Sequence, residues 1–240
     1  MSKRIFHYFK SRPGLTILLL LLGLITFANL NPDFYLLGWD NYSSYFNHKT
    51  NIFRTFFATW REYRGFGVPS DAEVTDLFRQ LFSYLIHFFV PEKLLDQVFY
   101  ICSLWTGIIG MYLLGTTIWE EANSKHKDLF GFISTLFYLF NLNTLSNYYS
   151  PIIPFTIRFF SLPLLLFIFL RLLRKRSKKS FLFLIFVVIV TSGSNITPTV
   201  MITTLLALGI FFLIRCGIKK TIIYMTVFIF LNAFWLLPFF

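Results

Sequence analysis

Asp40 is the carboxylate whose sequence neighbours best suit it to acid–base chemistry. It lies in the run Gly38-Trp39-Asp40-Asn41-Tyr42, shortly after an apolar stretch that ends at Leu30. A carboxylate flanked by aromatic side chains loses part of its water, and this desolvation raises its pKa towards the range that suits a general base. An Asp-Asn pair is also common in turns and at helix caps, so a structural role for Asp40 stays open.

The segment that must position Asp40 is a long polar loop, 31–93, whose sequence contains two helical patterns. Apolar residues recur with a 3.6-residue spacing over 51–64 and over 76–89, with polar residues on the opposite face. Each pattern covers about 14 residues, or roughly 21 Å, which is too short and too polar to cross a bilayer. We predict two amphipathic helices that lie flat in the membrane interface with their polar faces towards water. Helices of this kind can also serve only to anchor a loop.

The composition of the whole chain is that of a membrane protein. Hydrophobic residues make up 56% of its 240 residues and charged residues 14%, against roughly 25% charged residues in soluble domains. Disorder, collagen-like repeats and a disulfide-stapled secreted domain are excluded, and we expect Cys102 and Cys216 to be unpaired. We predict an all-α polytopic membrane protein with about seven transmembrane helices. The apolar runs that predict these helices are 15–30, 94–119, 129–142, 155–170, 181–192, 199–214 and 221–237.

The net charge of +11 is divided unequally between the two sides that seven crossings define. One side, which includes the N-terminus, has 15 of the 22 Lys and Arg residues and three acidic residues, for a charge of +12. The other side, which includes the loop 31–93, has a charge of −1. The positive-inside rule places the N-terminus in the cytoplasm and the loop outside the cytoplasmic membrane. Because orientation during insertion explains the basic residues, we expect no nucleic-acid partner.

Other classes of site have weak or no support in the sequence. There is no His, Cys and carboxylate cluster with metal-ligand spacing, no Gly-rich phosphate loop and no Ser-His-Asp motif, so we expect neither a metal nor a bound cofactor. The break at 193–198, between two short apolar runs, could line the site of a transporter or lipid flippase. We favour a tight outer turn, because basic residues flank both ends of the pair of runs. A non-catalytic membrane scaffold is a third alternative.

Several short motifs resemble those of a known family. A cytoplasmic N-terminus, one span, and a long outer loop with an early Asp and two juxtamembrane helices resemble the layout of glycosyltransferases of the C superfamily. More narrowly, the chain resembles the N-terminal membrane region of alpha-(1->3)-arabinofuranosyltransferase-like proteins. The motifs that carry this resemblance are GWDN (38–41), FN-x5-FR (46–54), W-x-EY-x-G-x-G (60–67), DLFRQLF (76–82), Asn232 and WLLP (235–238).

The resemblance implies transfer of a sugar, such as the pentose arabinofuranose, from a polyprenyl-phosphate donor to a cell-envelope glycan or lipid-linked acceptor. It places the site on the extracytoplasmic face, with Asp40 as the general base of an inverting reaction. Family members generally carry further spans and a large extracytoplasmic carbohydrate-binding part. We therefore expect residues 1–240 to be one transmembrane glycosyltransferase-like domain, the N-terminal part of a longer protein.

The same implied reaction suggests roles for other polar residues. Arginine is the best bidentate partner of a phosphate, so the donor phosphate would be bound by arginines of the loop and by one near the outer end of the fourth span. That last arginine could also snorkel to the interface, Asp76 could cap a helix, and Trp60 could be buried in the interface. The phosphate-binding candidates are Arg54, Arg61, Arg64, Arg79 and Arg158. The sugar- or acceptor-binding candidates are Asn41, Trp60, Asp76 and His87.

Overall fold

The structure is a computed structural model that describes residues 12–36, 48–57, 60–61, 68–69, 73–122, 125–175 and 177–236. Within these residues it is helical apart from one short antiparallel strand pair. The elements are α1 (Pro13–Asn29), α2 (His48–Phe57), β1 (Trp60–Arg61), β2 (Val68–Pro69), a 3₁₀ turn (Glu73–Asp76), α3 (Leu77–Ile86), α4 (Glu92–Glu121), α5 (Lys127–Leu139), α6 (Leu142–Tyr149), α7 (Ile153–Arg174), α8 (Lys178–Val190), a second 3₁₀ turn (Ser192–Ile196), α9 (Pro198–Leu231) and α10 (Ala233–Leu236).

The long helices are compatible with integration into a membrane, as the composition predicts. Three of them, α4, α7 and α9, are long and apolar enough to cross a bilayer, and a fourth span arises if the bent pair α5 and α6 counts as one. The apolar helix α1 has 17 residues. The helix α4 begins at Glu92, directly after Pro91 and two residues before the predicted apolar run 94–119. The described residues thus form a mainly helical structure with three or four candidate spans, which is compatible with a helical membrane protein.

The helix α9 reverses direction at Gly217, so that it consists of two antiparallel halves (198–216 and 218–231). Gly217 has φ of 73° and ψ of 171°, a conformation that glycine adopts without a steric penalty. The rings of Phe212 and Tyr224 stack with centroids 5.1 Å apart, whereas 12 residues of straight helix would separate them by about 18 Å. The two halves correspond to the two predicted apolar runs 199–214 and 221–237.

Small residues bring α4 into backbone contact with α7. A Cβ atom at Gly110 would lie 2.7 Å from the backbone nitrogen of Leu164, and one at Gly107 would lie 2.9 Å from the Phe160 ring. Any larger side chain at these positions would force the two helices apart. The close contact fixes the N-terminal part of α7, and with it Arg158, relative to α4.

Charged residues gather at one end of the bundle. Glu121 accepts hydrogen bonds from Arg174 at 3.0 Å and from Arg215 at 2.7 Å, and Lys127 lies 2.9 Å from Glu120. The charge pattern of the sequence assigns all five of these residues to the same side of the membrane. At the opposite end, the Gln97 side chain binds the backbone of the segment that follows α1, at Asn31 and Phe34.

The first predicted loop helix is shorter than the sequence pattern indicates. The prediction over 51–64 is correct for the part within α2, but it is wrong for Trp60 and Arg61, which pair with Pro69 and Val68 as antiparallel strands. Residues 65–70 contain two glycines and a proline, which interrupt a helix and favour a turn. The tryptophan and the valine are residues that strands prefer.

The second predicted loop helix is present, but its polar face points into the protein. The pattern over 76–89 corresponds to α3 and the turn after it. Arg79, Gln80 and Ser83 on its polar face are buried, whereas Leu85, Phe88 and Phe89 are 61–85% exposed. The prediction that this face points towards water is therefore wrong. The reason is that the polar side chains find charged and polar partners inside the bundle, which the pattern of one helix cannot show.

Candidate functional site

Polar side chains from five parts of the chain meet beside the 3₁₀ turn Ser192–Ile196. We call this group the polar junction. Each of its members is at most 9% exposed, which is unusual for charged side chains unless they are paired. It joins the start of α3, the N-terminal parts of α4 and α7, the turn between α8 and α9, and the residue that follows α9. The members are Thr75, Asp76, Arg79, Asp96, Arg158, Ser192, Asn195 and Asn232.

Asp76 and Arg79 form a buried bidentate ion pair. Arg79 donates from Nε to Asp76 Oδ1 at 2.8 Å and from Nη2 to Oδ2 at 2.5 Å, and Gln80 donates to Oδ2 at 2.9 Å. Asp96 Oδ1 lies 3.9 Å from Arg79 Nη1. Burial alone would lower the pKa of Arg79, but the adjacent Asp76 carboxylate raises it above its usual value. Arg79 is therefore a permanent cation whose charge is already neutralised by Asp76.

The role of Asp76 follows from the same contacts. Although Asp76 precedes α3, its side chain makes no capping hydrogen bond to the helix backbone. The helix-cap alternative is therefore wrong. Its carboxylate is bound by Arg79 and Gln80, three and four residues further along the same segment, so Asp76 neutralises Arg79 within the loop helix.

The turn between α8 and α9 packs directly on the turn that precedes α3. Ser192 Oγ donates to the Thr75 carbonyl at 2.6 Å. A Cβ atom at Gly193 would lie 3.1 Å from Asp76 Oδ1 and 3.1 Å from Ile157 Cδ1, so a larger side chain would push the two turns apart. The break at 193–198 is thus a tight turn, as we favour from the sequence, but one that is buried against the loop.

Arg158 is the charged residue of the junction whose donors are not all used. Its Nη2 donates to Asn195 Oδ1 at 3.0 Å, and Asn195 in turn donates to Asn232 Oδ1 at 2.8 Å. Trp235 Nε1 donates to the same Asn232 oxygen at 3.0 Å. In the part of the chain that the structure describes, Arg158 Nε is buried with no hydrogen-bond partner. Burial of the side chain, at 8% exposure, argues against snorkelling.

A buried guanidinium with an unused donor is a favourable site for an anion. Removing a cation from water costs free energy that an anionic partner can offset, and arginine binds phosphate oxygens through adjacent donors. No ion pair of Arg158 occurs among the described residues. The neighbouring asparagines fix the position of the guanidinium without neutralising its charge.

The other predicted site residues are only partly described. Arg54 lies in α2, and Trp60 and Arg61 form β1. Asp40, Asn41 and Arg64 lie outside the described residues. The structure thus brings together Asp76, Arg79 and Arg158, but it does not place the proposed base.

His87 lies apart from the junction. It follows α3, about 16 Å along the chain from Asp76 at 1.5 Å per residue. Its ring contacts those of Tyr84 and Phe88, and its Nδ1 donates to the Tyr84 carbonyl. These contacts are local to the end of α3.

Four residues of the junction were not predicted from the sequence, namely Thr75, Asp96, Ser192 and Asn195. Asp96 is the one charged residue in the apolar run 94–119, and an ionisable residue inside a predicted span is by itself a signal of a functional site. Asn195 lies in the break at 193–198, for which the sequence analysis predicts a tight turn and no site residue. Asn232 and Trp235 entered only through the family resemblance.

Comparison with protein-family models, curated proteins and solved structures finds no match to this chain. The resemblance to C-superfamily glycosyltransferases therefore stays a prediction from short motifs. In the described part of the chain, no group of three or more His, Cys, Asp or Glu side chains could hold a metal ion. The chemistry that the junction offers comes from a buried cation and from carboxylates.

Proposed function

We propose that the chain is the membrane part of an inverting glycosyltransferase that uses a polyprenyl-phosphate sugar as its donor. The acceptor is a cell-envelope glycan or a lipid-linked glycan, and the sugar is a pentose such as arabinofuranose. The observation that carries the proposal is the buried Arg158 guanidinium with its unused Nε donor, held by Asn195. A lipid phosphate is an anion that can reach such a site from within the membrane.

The proposed reaction needs a base for the acceptor hydroxyl and a cation for the phosphate that leaves. Asp40 accepts the proton of the acceptor hydroxyl while the sugar–phosphate bond breaks on the opposite face of the sugar. Arg158 binds the phosphate that leaves, where it stabilises the negative charge that develops. Arg54, Arg61 and Arg64 remain candidates for the same phosphate, and Asn41, Trp60 and His87 for the sugar or acceptor.

The contacts of the junction change the roles of two residues in this proposal. Because Asp76 neutralises Arg79 within the loop helix, the pair does not bind the substrate directly, and Arg79 lies 3.9 Å from Asp96 of α4. The donor phosphate then lies next to this pair, on the side of Arg158. Asp76 and Arg79 become positioning residues in place of ligand-binding ones.

In the proposed arrangement the chain crosses the cytoplasmic membrane about seven times, with a cytoplasmic N-terminus. The reversal at Gly217 supports two crossings within α9, and the cluster of Arg174 and Arg215 at one end of the bundle supports the cytoplasmic side. The polar junction then lies at the extracytoplasmic face. The short helices α1 and α8 cross with help from local thinning of the bilayer.

This orientation predicts a definite labelling pattern. In a variant without Cys102 and Cys216, a cysteine at Asn41 is expected to react with a membrane-impermeant maleimide in intact cells. A cysteine at Lys175 is expected to react only after permeabilisation, because the +12 side faces the cytoplasm. Labelling at position 175 and protection at position 41 would reverse the assignment.

The role of Arg158 predicts a loss of donor use. With purified protein in vesicles, Arg158→Gln is expected to lower kcat/KM for transfer from a polyprenyl-phosphate sugar by about 10²-fold, as loss of one charge-stabilising donor does. Arg174→Gln, at the other end of α7, serves as the control and is expected to leave transfer unchanged. Equal activity of the Arg158 variant and the wild type would contradict the proposed phosphate site.

A transporter or lipid flippase is the second candidate function. The observation that favours it is the buried polar turn Ser192–Ile196 between α8 and α9, which contacts Arg158. Such a protein would move a fluorescent lipid phosphate across vesicles without forming a glycosidic bond, whereas a glycosyltransferase forms the bond. A scaffold would do neither, and it would tolerate loss of both Asp40 and Arg158.

A further inference from the structure

A cavity lies at the end of the bundle opposite to the polar junction. It has a volume of about 680 Å³ and opens between the end of α7, the start of α8 and the second half of α9. Leu172 and Leu184 are buried at its wall, whereas Phe181, Leu182 and Ile223 are 42–64% exposed around it. Cavities of roughly 300–1,000 Å³ with apolar walls are typical of small-ligand sites. The exposed apolar rim opens this cavity towards the surface of the bundle, where lipid chains lie.

One lysine lines this cavity, and two more follow or precede its lining residues closely in the sequence. Lys178 lines it directly, and Lys175 follows the cavity residue Leu172 by three positions. On the second half of α9, Lys220 lies one helical turn before the lining residue Tyr224, and therefore on the same helix face. Among the described residues, Lys175, Lys178 and Lys220 form no ion pair, in contrast to Arg174 and Arg215.

We propose that this cavity binds an anionic phospholipid, with an acyl chain between α7, α8 and α9 and the headgroup phosphate on the lysines. The charge and the shape of the site carry the inference. The apolar wall excludes a hydrated polar ligand, and the unpaired lysines favour a negative headgroup over a zwitterionic one. Basic residues beside a membrane surface attract anionic lipids in general, but here they adjoin a cavity that can hold a chain.

The site is independent of the proposed transfer reaction. Arg158 and Leu172 are 14 residues apart on α7, or about 21 Å, so the lipid and the donor phosphate would occupy opposite ends of the bundle. A bound lipid at this end would hold α8 against the second half of α9. The lipid would thereby act as a structural ligand of the membrane domain.

Native mass spectrometry of the purified full chain in detergent tests the proposal, with phosphatidylglycerol and phosphatidylcholine of the same chains as probes. We expect phosphatidylglycerol to bind at least fivefold more tightly. Lys178→Gln should weaken the binding of phosphatidylglycerol about fivefold and leave the binding of phosphatidylcholine unchanged, as expected for one lysine near an anionic headgroup. Lys125→Gln, which removes an exposed lysine from the loop between α4 and α5, is the matched control and should have no effect.

A second pair of variants tests the cavity itself. Val227→Trp fills the cavity and should abolish binding of both lipids, whereas Ile222→Trp, on the exposed face of the same half-helix, should not. Equal affinity for the two lipids, or an equal loss in Lys125→Gln and Lys178→Gln, would overturn the proposal in favour of diffuse surface charge. Competition by glycerol phosphate without acyl chains would overturn it in favour of a soluble phosphate ligand.

Discussion

Asp40→Asn is expected to lower the rate of sugar transfer by about 10²–10⁴-fold, the range typical for loss of a general base. The asparagine keeps the size of the side chain but cannot accept the proton of the acceptor hydroxyl. Expression and the thermal midpoint of the purified protein should stay unchanged, because the substitution is isosteric. The measurement is the initial rate of transfer from a polyprenyl-phosphate sugar in vesicles, with the full-length active protein.

Asp33→Asn is the matched control for this substitution. Asp33 is an exposed aspartate that precedes Asp40 in the same loop, so the same chemical change is made at a site with no proposed role. We expect its transfer rate to equal that of the wild type. An undiminished rate in Asp40→Asn would remove Asp40 from the mechanism, and Asp96 would then be the next carboxylate to test. Asp96 is buried and lies 3.9 Å from Arg79, whereas Asp76 is held in a bidentate pair with Arg79.

Arg79→Met is expected to destabilise the protein by about 3–5 kcal/mol, because it leaves the buried Asp76 without its cation. The methionine keeps much of the length and apolar volume of the side chain, so the lost charge dominates the effect. The measurement is the free energy of unfolding in detergent micelles under added denaturant. The loop helix α3 should detach first, since the substitution also removes the contact of Arg79 with Asp96 of α4 at 3.9 Å.

Lys127→Met provides the comparison at an exposed ion pair. Lys127 and Glu120 lie 2.9 Å apart, but both side chains are about half exposed, so the loss of stability should be about 0–1 kcal/mol. The double variant Asp76→Leu/Arg79→Met should recover much of the lost stability, because an apolar pair can replace a buried ion pair at little cost. If Arg79→Met lowers the free energy of unfolding no more than Lys127→Met does, the pair of Asp76 and Arg79 is not buried in solution.

The sequence predicts the helical membrane class and several boundaries because these depend on local properties. Apolar runs must be buried in lipid or protein, so the helices α4, α5, α7 and α8 follow the predicted runs. Pro91 marks the start of α4 because proline suits the first turn of a helix. The helix prediction over 51–64 fails at Trp60, because Trp60 and Arg61 pair as a strand with Val68 and Pro69. A 3.6-residue period reports helical spacing only and carries no information about strand pairing with a later segment.

The amino-acid sequence by itself determined which segments are apolar, where the basic residues lie and which polar residues could do chemistry. Only the tertiary structure decided that the polar face of α3 points inward and that Arg158 meets Asn195, 37 residues away. It also decided that Ser192 binds Thr75 across 117 residues. Periodicity reports which face of a helix is polar, but it does not report what that face contacts. The partner is fixed by long-range packing, in which a buried charge is stable only where distant chain segments supply its counter-charge or hydrogen bonds.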